Sequence, residues 1–423
     1  MVSVVWKGRS CVLLLLSLPI SVLQSGANQS PLFEHQPFFV TWNIPDQVCR
    51  RYNISLDTSP FHGVTTPAKA NQFLSLFYTD RLGLYPHVDL KRKKLYNGGI
   101  PQRGNLKASL TKAKEDINYY IPFNQGLAVI DWEEWRPLWD RNWGTKRIYQ
   151  TLSVAHISQK NLCFTEEQVA AKSFMSGTLA LGRAMRPNYL WGFYLFPNCY
   201  NNGWEHPDYT GQCSEKVKRQ NDELLWLWES STALFPSVYL QVGLTLWTAL
   251  MVRYNIQEAL RVSALPRGNA TAPVFVYMRP VFADQNKRFL SQVDLVRTIG
   301  ESAAVGASGA VMWGASTSCE MLSSYLSSTL NPYITNVTLA AQLCSNFLCR
   351  GNGRCVRKKS NSNHYLHLNP ENFRVITGVL LIIGRLQFKN FELKKKKLRA
   401  FRNCLHERRP VPPAFFSPLT YSF

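Results

Sequence analysis

The chain is short of acidic residues: its 423 residues include 27 Asp and Glu against 48 Lys and Arg, for a formal net charge of +21 at pH 7. It also lacks a glycine-rich phosphate loop, which argues against a nucleotide-binding enzyme. The cysteines at 344, 349 and 355 lack the neighbouring His or Cys set of a zinc site, so we expect neither a metal nor a cofactor. Excess positive charge concentrates polyanions at a surface and therefore favours an acidic partner.

The apolar runs are too short to span a bilayer, which takes about 20 residues. Residues 1–27 instead predict a cleaved secretory signal peptide, with an uncleaved signal anchor as the alternative, because Lys7 and Arg9 precede a short apolar run that ends in small residues. We expect a secreted or cell-surface protein, or one held in an acidic or secretory granule. Sequons at Asn53, Asn269 and Asn336 predict glycosylation, whereas Asn28 lies too close to the cleavage site to matter.

The expected secretory compartment limits the classes of partner that the chain is expected to bind. A secreted chain with no recognisable nucleic-acid motif is a poor candidate for binding nucleic acid. An extracellular acidic polysaccharide fits both the compartment and the charge. Between Arg385 and Arg409 the chain carries ten Lys or Arg against two Glu, and we interpret this basic tail as an alternative or read-through terminus. A membrane-surface segment that contacts anionic lipid or polysaccharide is the alternative interpretation. The protein is expected to be a monomer.

Strand-like and helix-like segments alternate along the chain. Seven segments predict strands: 37–43, 74–80, 126–133, 189–196, 236–244, 273–280 and 308–316. Four predict helices between them: Leu106–Tyr120, Glu166–Met185, Thr245–Ser263 and Gln292–Ala304. This alternation predicts an α/β fold with a parallel sheet, closed into a TIM-like barrel of about seven strands rather than left as an open sheet.

Chemistry is predicted where the strand at residue 126 ends. Side chains alternate along a strand, so Asp131 and Glu133 point the same way and disfavour joint ionisation, which raises one pKa. A carboxyl pair of this kind suits glycosidic bond cleavage. Arg136 suits an anionic sugar. Four tryptophans offer flat surfaces for sugar rings: Trp132, Trp135, Trp139 and Trp143. The alternative is a strand end with solvated carboxylates.

Residues far apart in sequence are expected to meet at this site. Barrel active sites form at the carboxyl ends of the strands. Tyr194, Tyr239 and Trp313 fall at or near such ends, as Asp131 and Glu133 do. Each alone fits a core or rim position, but together they predict one cleft.

The sequence resembles the hyaluronidases, the family with venom, lysosomal and sperm-surface members, from about Pro37 to Phe373. The motifs that carry the resemblance include WNIPDQVC at 42–49, LFYTDRLGLYP at 76–86, AVIDWEEWRP at 128–137, LWGFYLFPNCYN at 190–201 and GESAAVGASGAVMWG at 300–314. The resemblance implies a distorted barrel with a long cleft. It also implies an endo-acting hydrolase of the β-1,4 bonds that follow N-acetylglucosamine in hyaluronan, retaining configuration through attack by the substrate's acetamido group.

The same resemblance implies roles for single residues. Glu133 protonates the leaving oxygen, and Asp131 orients the acetamido group. Tyr194 and Tyr239 bind that group, and Trp313 walls the pocket. The further cleft positions are Tyr78, Arg136, Tyr200 and Asn43.

The resemblance also implies the disulfides Cys49–Cys319, Cys199–Cys213 and Cys344–Cys355, with a barrel domain at 28–340, a partial, truncated EGF-like cysteine-rich module at 341–372 and a divergent basic tail at 373–423. Nine cysteines follow the predicted signal, so at least one has no intrachain partner, and Cys163, Cys349 and Cys404 remain unassigned.

Several positions depart from the family pattern. Asn198 stands where the family has a cleft Asp, Leu152 stands where it has Arg, and the stretch from Glu166 to Met175 is about ten residues shorter than expected. Two alternative functions therefore stay open: a hydrolase that prefers chondroitin chains, and a hyaluronan-binding or adhesion protein with weak turnover.

Overall fold

The computed structural model describes residues 36–67, 69–122, 124–160, 166–244, 247–266, 271–314, 318–351, 353–368, 373–376, 379–382 and 391–394. The predicted signal peptide, Asn28, Cys163, Asn269, Cys404 and most of the basic tail lie outside these ranges.

Short strands supply the frame of the molecule. They are β1 Phe39–Asn43, β2 Leu74–Phe77, β3 His87–Asp89, β4 Lys94–Tyr96, β5 Gly126–Ile130, β6 Tyr189–Phe193, β7 Phe275–Met278, β8 Gly309–Trp313, β9 Arg354–Arg357, β10 Phe373–Ile376, β11 Val379–Ile382 and β12 Phe391–Lys394. Six of the seven segments predicted as strands contain one of them: β1, β2, β5, β6, β7 and β8.

Two parallel three-stranded sheets lie at the centre, in the orders β2-β5-β6 and β1-β8-β7. Residues 233–238 join them. The Ala233 N–H donates to the Trp191 carbonyl of β6 at 3.0 Å, and the Phe275 N–H of β7 donates to the Leu234 carbonyl at 2.9 Å. The parallel array therefore runs from β2 through this segment to β1, and the predicted α/β fold with a parallel sheet is confirmed.

The strand predicted at residues 236–244 is wrong in position. The hydrogen-bonded segment, residues 233–238, begins upstream and overlaps only the first three residues of the predicted strand, and Val242–Leu244 forms a turn of 3₁₀ helix. Pro236 has no N–H to donate, so it limits pairing to single parallel bridges such as the one between Ser237 and Tyr277. The apolar run that predicted a strand instead reflects burial, because Val238 and Leu240 lie in the core.

Helices cover the sheets. They are α1 Gln47–Arg51, α2 Leu106–Tyr120, α3 Arg147–Lys160, α4 Glu166–Met185, α5 Glu215–Glu223, α6 Leu225–Ser230, α7 Thr248–Ser263, α8 Gln292–Leu295, α9 Glu301–Val305, α10 Cys319–Tyr325 and α11 Asn331–Cys349. The four predicted helices are confirmed, with α7 starting at Thr248 and a π-helical turn at 296–300 between α8 and α9. Leu152 of α3 packs against the core, and the shortening after Glu166 stays a prediction.

Alternate residues of the central strands enter two apolar clusters, as the two-residue period of a strand requires. In β5, Leu127 and Val129 belong to one cluster, which gathers side chains from the central strands. Ala128 and Ile130 belong to the other, which also includes the buried helix faces.

The three disulfides are the pairs that the resemblance implies. Cys49–Cys319 joins α1 to α10, Cys199–Cys213 closes the loop after β6, and Cys344–Cys355 joins α11 to β9. The predicted domain boundary at residue 340 falls inside α11. In the described part of the chain, no helix combines the length and apolar character needed to cross a bilayer.

Two predicted glycosylation sites lie within the described ranges. Asn53 is exposed. Asn336 is half-buried on α11, where its amide donates to the Leu368 carbonyl at 3.2 Å. A glycosylated asparagine keeps one amide N–H, so this bond is compatible with a glycan.

Candidate active site

The carboxyl pair lies where β5 ends. The Asp131 N–H continues the sheet by donating to the Phe77 carbonyl of β2 at 2.8 Å, and the chain then leaves the sheet. The side chains of Asp131 and Glu133 share a hydrogen bond. Both residues are half-buried, and 46 % of the Glu133 side chain is exposed. The sequence therefore correctly predicted two carboxyls in one small volume.

The tryptophans next to the pair do not offer surfaces to a sugar, contrary to the sequence-based prediction. Trp132 and Trp135 are each 3 % exposed and stack on Tyr85 at centroid distances of 4.5 and 5.2 Å. The Trp135 indole N–H donates to the Pro86 carbonyl at 2.9 Å. These two rings are core, and they fix the backbone on both sides of Glu133. Of the four, Trp143 is the most exposed, at 60 %.

Two cations hold the backbone at Glu133. Arg136 donates to the Glu133 carbonyl at 2.7 Å, and the Lys146 ammonium donates to the same oxygen. Another guanidinium nitrogen of Arg136 lies 3.6 Å from the Glu133 carboxylate. Asn142 fixes Arg136 in turn by accepting from its N–H at 2.7 Å and donating to its carbonyl at 2.9 Å. Since Arg136 is 7 % exposed, its place in the structure is to position Glu133.

The pair retains a proton at neutral pH. Burial, followed by the charges of Glu133 and Glu134, raises the pKa of Asp131 to about 8, and Arg136 opposes that rise. The proton belongs to the pair, because two strongly interacting carboxyls titrate together. The sequence predicted one raised pKa in this pair, and the pKa of Asp131 is raised.

Aromatic side chains from three strand ends form the wall beside the pair. Tyr194 follows β6, and its ring centroid lies 6.5 Å from that of Tyr239. Tyr239 stacks on Trp313, the last residue of β8, at 6.1 Å with 10° between the planes. Tyr78, after β2, lies beside Trp313. The structure therefore brings Tyr78, Tyr194, Tyr239 and Trp313 together, as the sequence predicted.

These tyrosines are neutral donors. Burial raises the pKa of Tyr194 to about 12, and the Glu133 charge adds to that rise. Burial and Tyr194 raise the pKa of Tyr239 well above its usual range. Both hydroxyls therefore keep their protons wherever the carboxyl pair is half protonated, and they can donate to a carbonyl oxygen.

Asn43 and Tyr277 close the bottom of the site. Asn43 ends β1 opposite Trp313, is fully buried, and accepts from the Thr65 hydroxyl at 3.2 Å. Burial raises the pKa of Tyr277 well above its usual range, with a further contribution from Asp131, while Asn43 opposes the rise. Tyr277 was not predicted as a site residue; its position one residue before the end of β7 was the available signal.

Tyr200 lies further along the loop after β6. The Arg141 guanidinium stacks on its ring at 5.1 Å, and Trp143 contacts its edge at 6.3 Å. The Asn198 side chain accepts from the Tyr200 N–H at 2.7 Å. Asn198 therefore shapes the loop that carries Tyr200, a role that an amide oxygen fills without a charge.

Sequence reasoning also missed Arg279 and Lys146. Arg279 follows β7, and its guanidinium lies 5.9 Å from the centre of the Tyr239 ring. Its position directly after a strand was the signal for it. Lys146 has no such signal, since it lies in a turn before α3 and reaches Glu133 only through tertiary packing.

Comparison with known proteins assigns the family. Residues 27–406 match the model of the family described as Hyaluronidase. The chain belongs to the hyaluronidase family. Hyaluronidase-5 of Mus musculus is 49 % identical over 367 residues, which is 82 % of this chain and 70 % of that protein. Hyaluronidase PH-20 of Homo sapiens is 46 % identical over 366 residues, covering 82 % and 72 %. Hyaluronidase-1 of Bitis arietans is 42 % identical over 399 residues, covering 87 % and 88 %.

Solved hyaluronidase structures share the fold. Bee venom hyaluronidase superposes with a TM-score of 0.62 at 29 % identity, covering 70 % of this chain and 99 % of that one. Its complex with a hyaluronic acid tetramer gives the same TM-score at 27 % identity, covering 70 % and 98 %.

Proposed function

We propose that this hyaluronidase family member hydrolyses the β-1,4 bonds that follow N-acetylglucosamine in hyaluronan, within the chain and with retention of configuration. The observation that carries the proposal is the hydrogen-bonded Asp131 and Glu133 pair, which lies beside a wall of neutral tyrosine donors. Hyaluronan is also the ligand in one of the similar solved structures. The net charge of +21 suits a polyanionic substrate.

The first step uses the substrate as the nucleophile. The acetamido N–H of the bound sugar donates to Asp131 and takes the place of Glu133 as its partner, so the shared proton moves to Glu133. Glu133 then gives this proton to the leaving glycosidic oxygen while the acetamido oxygen bonds to the anomeric carbon. The charge of Asp131 balances the cationic ring that results. Glycosidases of this substrate-assisted kind need no enzyme nucleophile.

The second step returns the pair to its starting state. Glu133, now a carboxylate, takes a proton from water as the water oxygen bonds to the anomeric carbon, and the bond to the acetamido oxygen breaks. Two displacements at one carbon give retention. Tyr194 and Tyr239 orient the acetamido group during both steps, and the stacked Trp313 ring limits the pocket.

Substrate carboxylates need a cation that is not already occupied. Arg136 was predicted for this role, but its contacts with Glu133 and its burial favour positioning. Arg279 fits the role better, because it lies over the ring of Tyr239 and its side-chain hydrogen bond, to the Asn286 amide oxygen at 2.9 Å, is to a neutral group. Its forked guanidinium matches a carboxylate geometrically.

The proposal includes closure of the parallel array into a distorted barrel. One apolar cluster contains both Phe39 of β1 and Leu74 of β2, the strands at the two ends of the array. The rings of Phe39 and Phe73 lie 6.3 Å apart, so the ends curl toward each other. The open carboxyl edge of such a barrel is the expected place for a long cleft.

Zymography on hyaluronan tests the function, comparing the wild type with Glu133→Gln. The wild type is expected to clear the gel, and loss of the general acid should reduce kcat by at least about 100-fold. Glu134→Gln is the matched control, because its amide oxygen can still accept from the Glu133 N–H as the carboxylate does at 3.1 Å. This control should clear normally.

Each alternative has its own result. If the wild type does not clear hyaluronan, but a column that carries the wild-type protein retains hyaluronan, the protein is a binding or adhesion protein. If the wild type releases reducing ends faster from chondroitin than from hyaluronan, chondroitin is the preferred substrate. Equal clearing by Glu133→Gln and the wild type would remove Glu133 from the mechanism.

A further inference from the structure

A basic hairpin projects from the loop that follows β2. Strands β3 and β4 pair antiparallel, with His87 opposite Tyr96 and Asp89 opposite Lys94. The turn between them and the first residue of β4 carry four consecutive cations, all exposed: Lys91, Arg92, Lys93 and Lys94. Among the described residues of this hairpin, Asp89 is the only acidic side chain.

The tip of the hairpin has a defined shape. One Asp89 carboxylate oxygen accepts from the N–H groups of Lys91 and Arg92, both at 3.0 Å. Lys94 lies over the Tyr96 ring at 4.7 Å, which leaves the other three cations to solvent, with Arg92 77 % exposed and 3.7 Å from Asp89. Local hydrogen bonds therefore hold the backbone of the turn that carries these cations, so little backbone ordering is required when an anion binds.

The base of the hairpin is fixed to the segment that carries the general acid. His87 stacks between Tyr96, at 4.7 Å, and Tyr85, at 5.9 Å. Tyr85 packs in turn on Trp132, the residue between Asp131 and Glu133, at 4.5 Å. The Val88 N–H donates to the Tyr149 hydroxyl of α3 at 3.0 Å.

The hairpin therefore lies at the same edge of the sheet as the site, since its loop leaves the carboxyl end of β2 and the acid pair follows the carboxyl end of β5, its neighbour. Arg147 is exposed at the start of α3, two residues before Tyr149, and adds another cation on this side. A polyanion that leaves the cleft in this direction passes over positive charge.

We propose that the basic hairpin 87–96 is a second binding site, outside the cleft, for the carboxylates of a long acidic polysaccharide chain. This inference rests on the proposed function, because the cleft determines where the chain lies. Positive charge at exposed, flexible side chains acts mainly through long-range attraction, so the site adds affinity for long chains and raises their association rate at low salt. It makes no contact with the reacting sugar.

The test compares long and short substrates. Lys91→Gln, Arg92→Gln and Lys93→Gln are combined, and Lys94 is kept because it packs on Tyr96. At low ionic strength we expect KM for high-mass hyaluronan to rise about 5- to 10-fold with kcat unchanged. Kinetics on oligosaccharides that only fill the cleft should not change, and the difference on the polymer should disappear at high salt.

A matched control removes the same charge elsewhere: Lys114→Gln on α2 with Lys358→Gln and Lys359→Gln after β9, all exposed. This control should behave as the wild type does. Equal KM values for the hairpin variant and the control on the polymer at low salt would overturn the inference. A loss of binding to anionic lipid vesicles without any loss on hyaluronan would overturn it as well.

A binding arm separates this inference from the proposed function. With Glu133→Gln as the background, affinity for high-mass hyaluronan is measured with and without the hairpin substitutions, so turnover is not needed. If the wild type cleaves neither high-mass hyaluronan nor the oligosaccharides, the proposed function is wrong. The binding measurement still shows whether the hairpin binds hyaluronan.

Discussion

At Asp131, burial and the neighbouring negative charges both raise the pKa of the carboxyl group. Its pKa is raised to about 8 in the folded protein, against about 3.9 in an unfolded chain. The folded state therefore binds this proton more tightly than the unfolded state does. Stability from this group is complete below pH 4 and is lost as the pH rises to about 8.

Asp131→Asn should reverse this loss. The amide cannot ionise, so the free energy of unfolding of the variant relative to wild type should increase between pH 4 and pH 8 and level off above it. Each unit of pKa shift corresponds to about 1.4 kcal/mol, and we expect a gain of at least about 1 kcal/mol across this window. Urea unfolding at several pH values measures it.

The exposed carboxyl at Asp208 supplies the control. Asp208→Asn should change stability by the same small amount at every pH. A stability difference for Asp131→Asn that does not depend on pH would show that the carboxyl is not held protonated. Activity gives a separate readout, because wild-type kcat/KM should fall above pH 8 as the pair loses its proton.

Sequence alone predicted the carboxyl pair because its cause is local. The D-x-E spacing directly after an apolar strand keeps two carboxyls within two residues of each other, although β5 ends at Ile130 and both residues lie just beyond the strand. The fate of Trp132 and Trp135 could not be predicted in this way. Their partner, Tyr85, lies more than 40 positions upstream, and only the fold brings the three rings together.

Among the elements, strands and helices were predictable where one period dominated. The bounds of α2 and α4 agree with the prediction, since their apolar residues recur at helical spacing and Asn105 caps the start of α2 by accepting from the Ala108 N–H. The structure of the segment at 236–244 was not predictable, because an apolar run that contains proline is equally consistent with a buried segment that forms no regular strand.

One buried ion cluster ties three elements together. Glu301 of α9 is fully buried; it accepts from Arg253 of α7 at 2.6 Å and from Arg357 of β9 at 2.8 Å. Arg357 also donates to the His364 carbonyl at 2.8 Å. The segment after α11 is therefore held against the sheet domain by one carboxylate between two guanidinium groups.

Glu301→Gln should release that segment. Removal of the carboxylate leaves two buried cations without a counter-charge, and breaking a buried ion pair in this way costs about 3–5 kcal/mol. We expect a clear fall in Tm and faster proteolysis between residues 350 and 368. Glu215→Gln, which removes an exposed carboxylate that pairs with Lys218, should leave the Tm unchanged. Equal Tm values for the two variants would show that the cluster does not hold the segment.

At the scale of the whole molecule, the ends of the fold are cross-linked. Cys49 lies in α1, just after β1, and Cys319 begins α10, just after β8, and these two strands are neighbours in the sheet. Their disulfide closes a loop with a sequence separation of 270, whereas Cys199–Cys213 spans 14. The short spacing across a polar loop suggests the Cys199–Cys213 pair, whereas the distant Cys49–Cys319 pair was supplied by the resemblance to the family.

The two disulfides should differ in their effect on stability. In the chain-entropy description, a cross-link stabilises by restricting the unfolded chain, by about 5 to 6 kcal/mol for the long loop and about 3 kcal/mol for the short one. Cys49→Ala with Cys319→Ala should therefore lower the free energy of unfolding more than Cys199→Ala with Cys213→Ala. Each double variant loses the same two sulfur atoms, so the comparison isolates loop length from the loss of packing. Equal losses in urea unfolding, or a larger loss for the short loop, would mean that the long cross-link acts mainly through contacts in the folded state at the β1 and β8 edge.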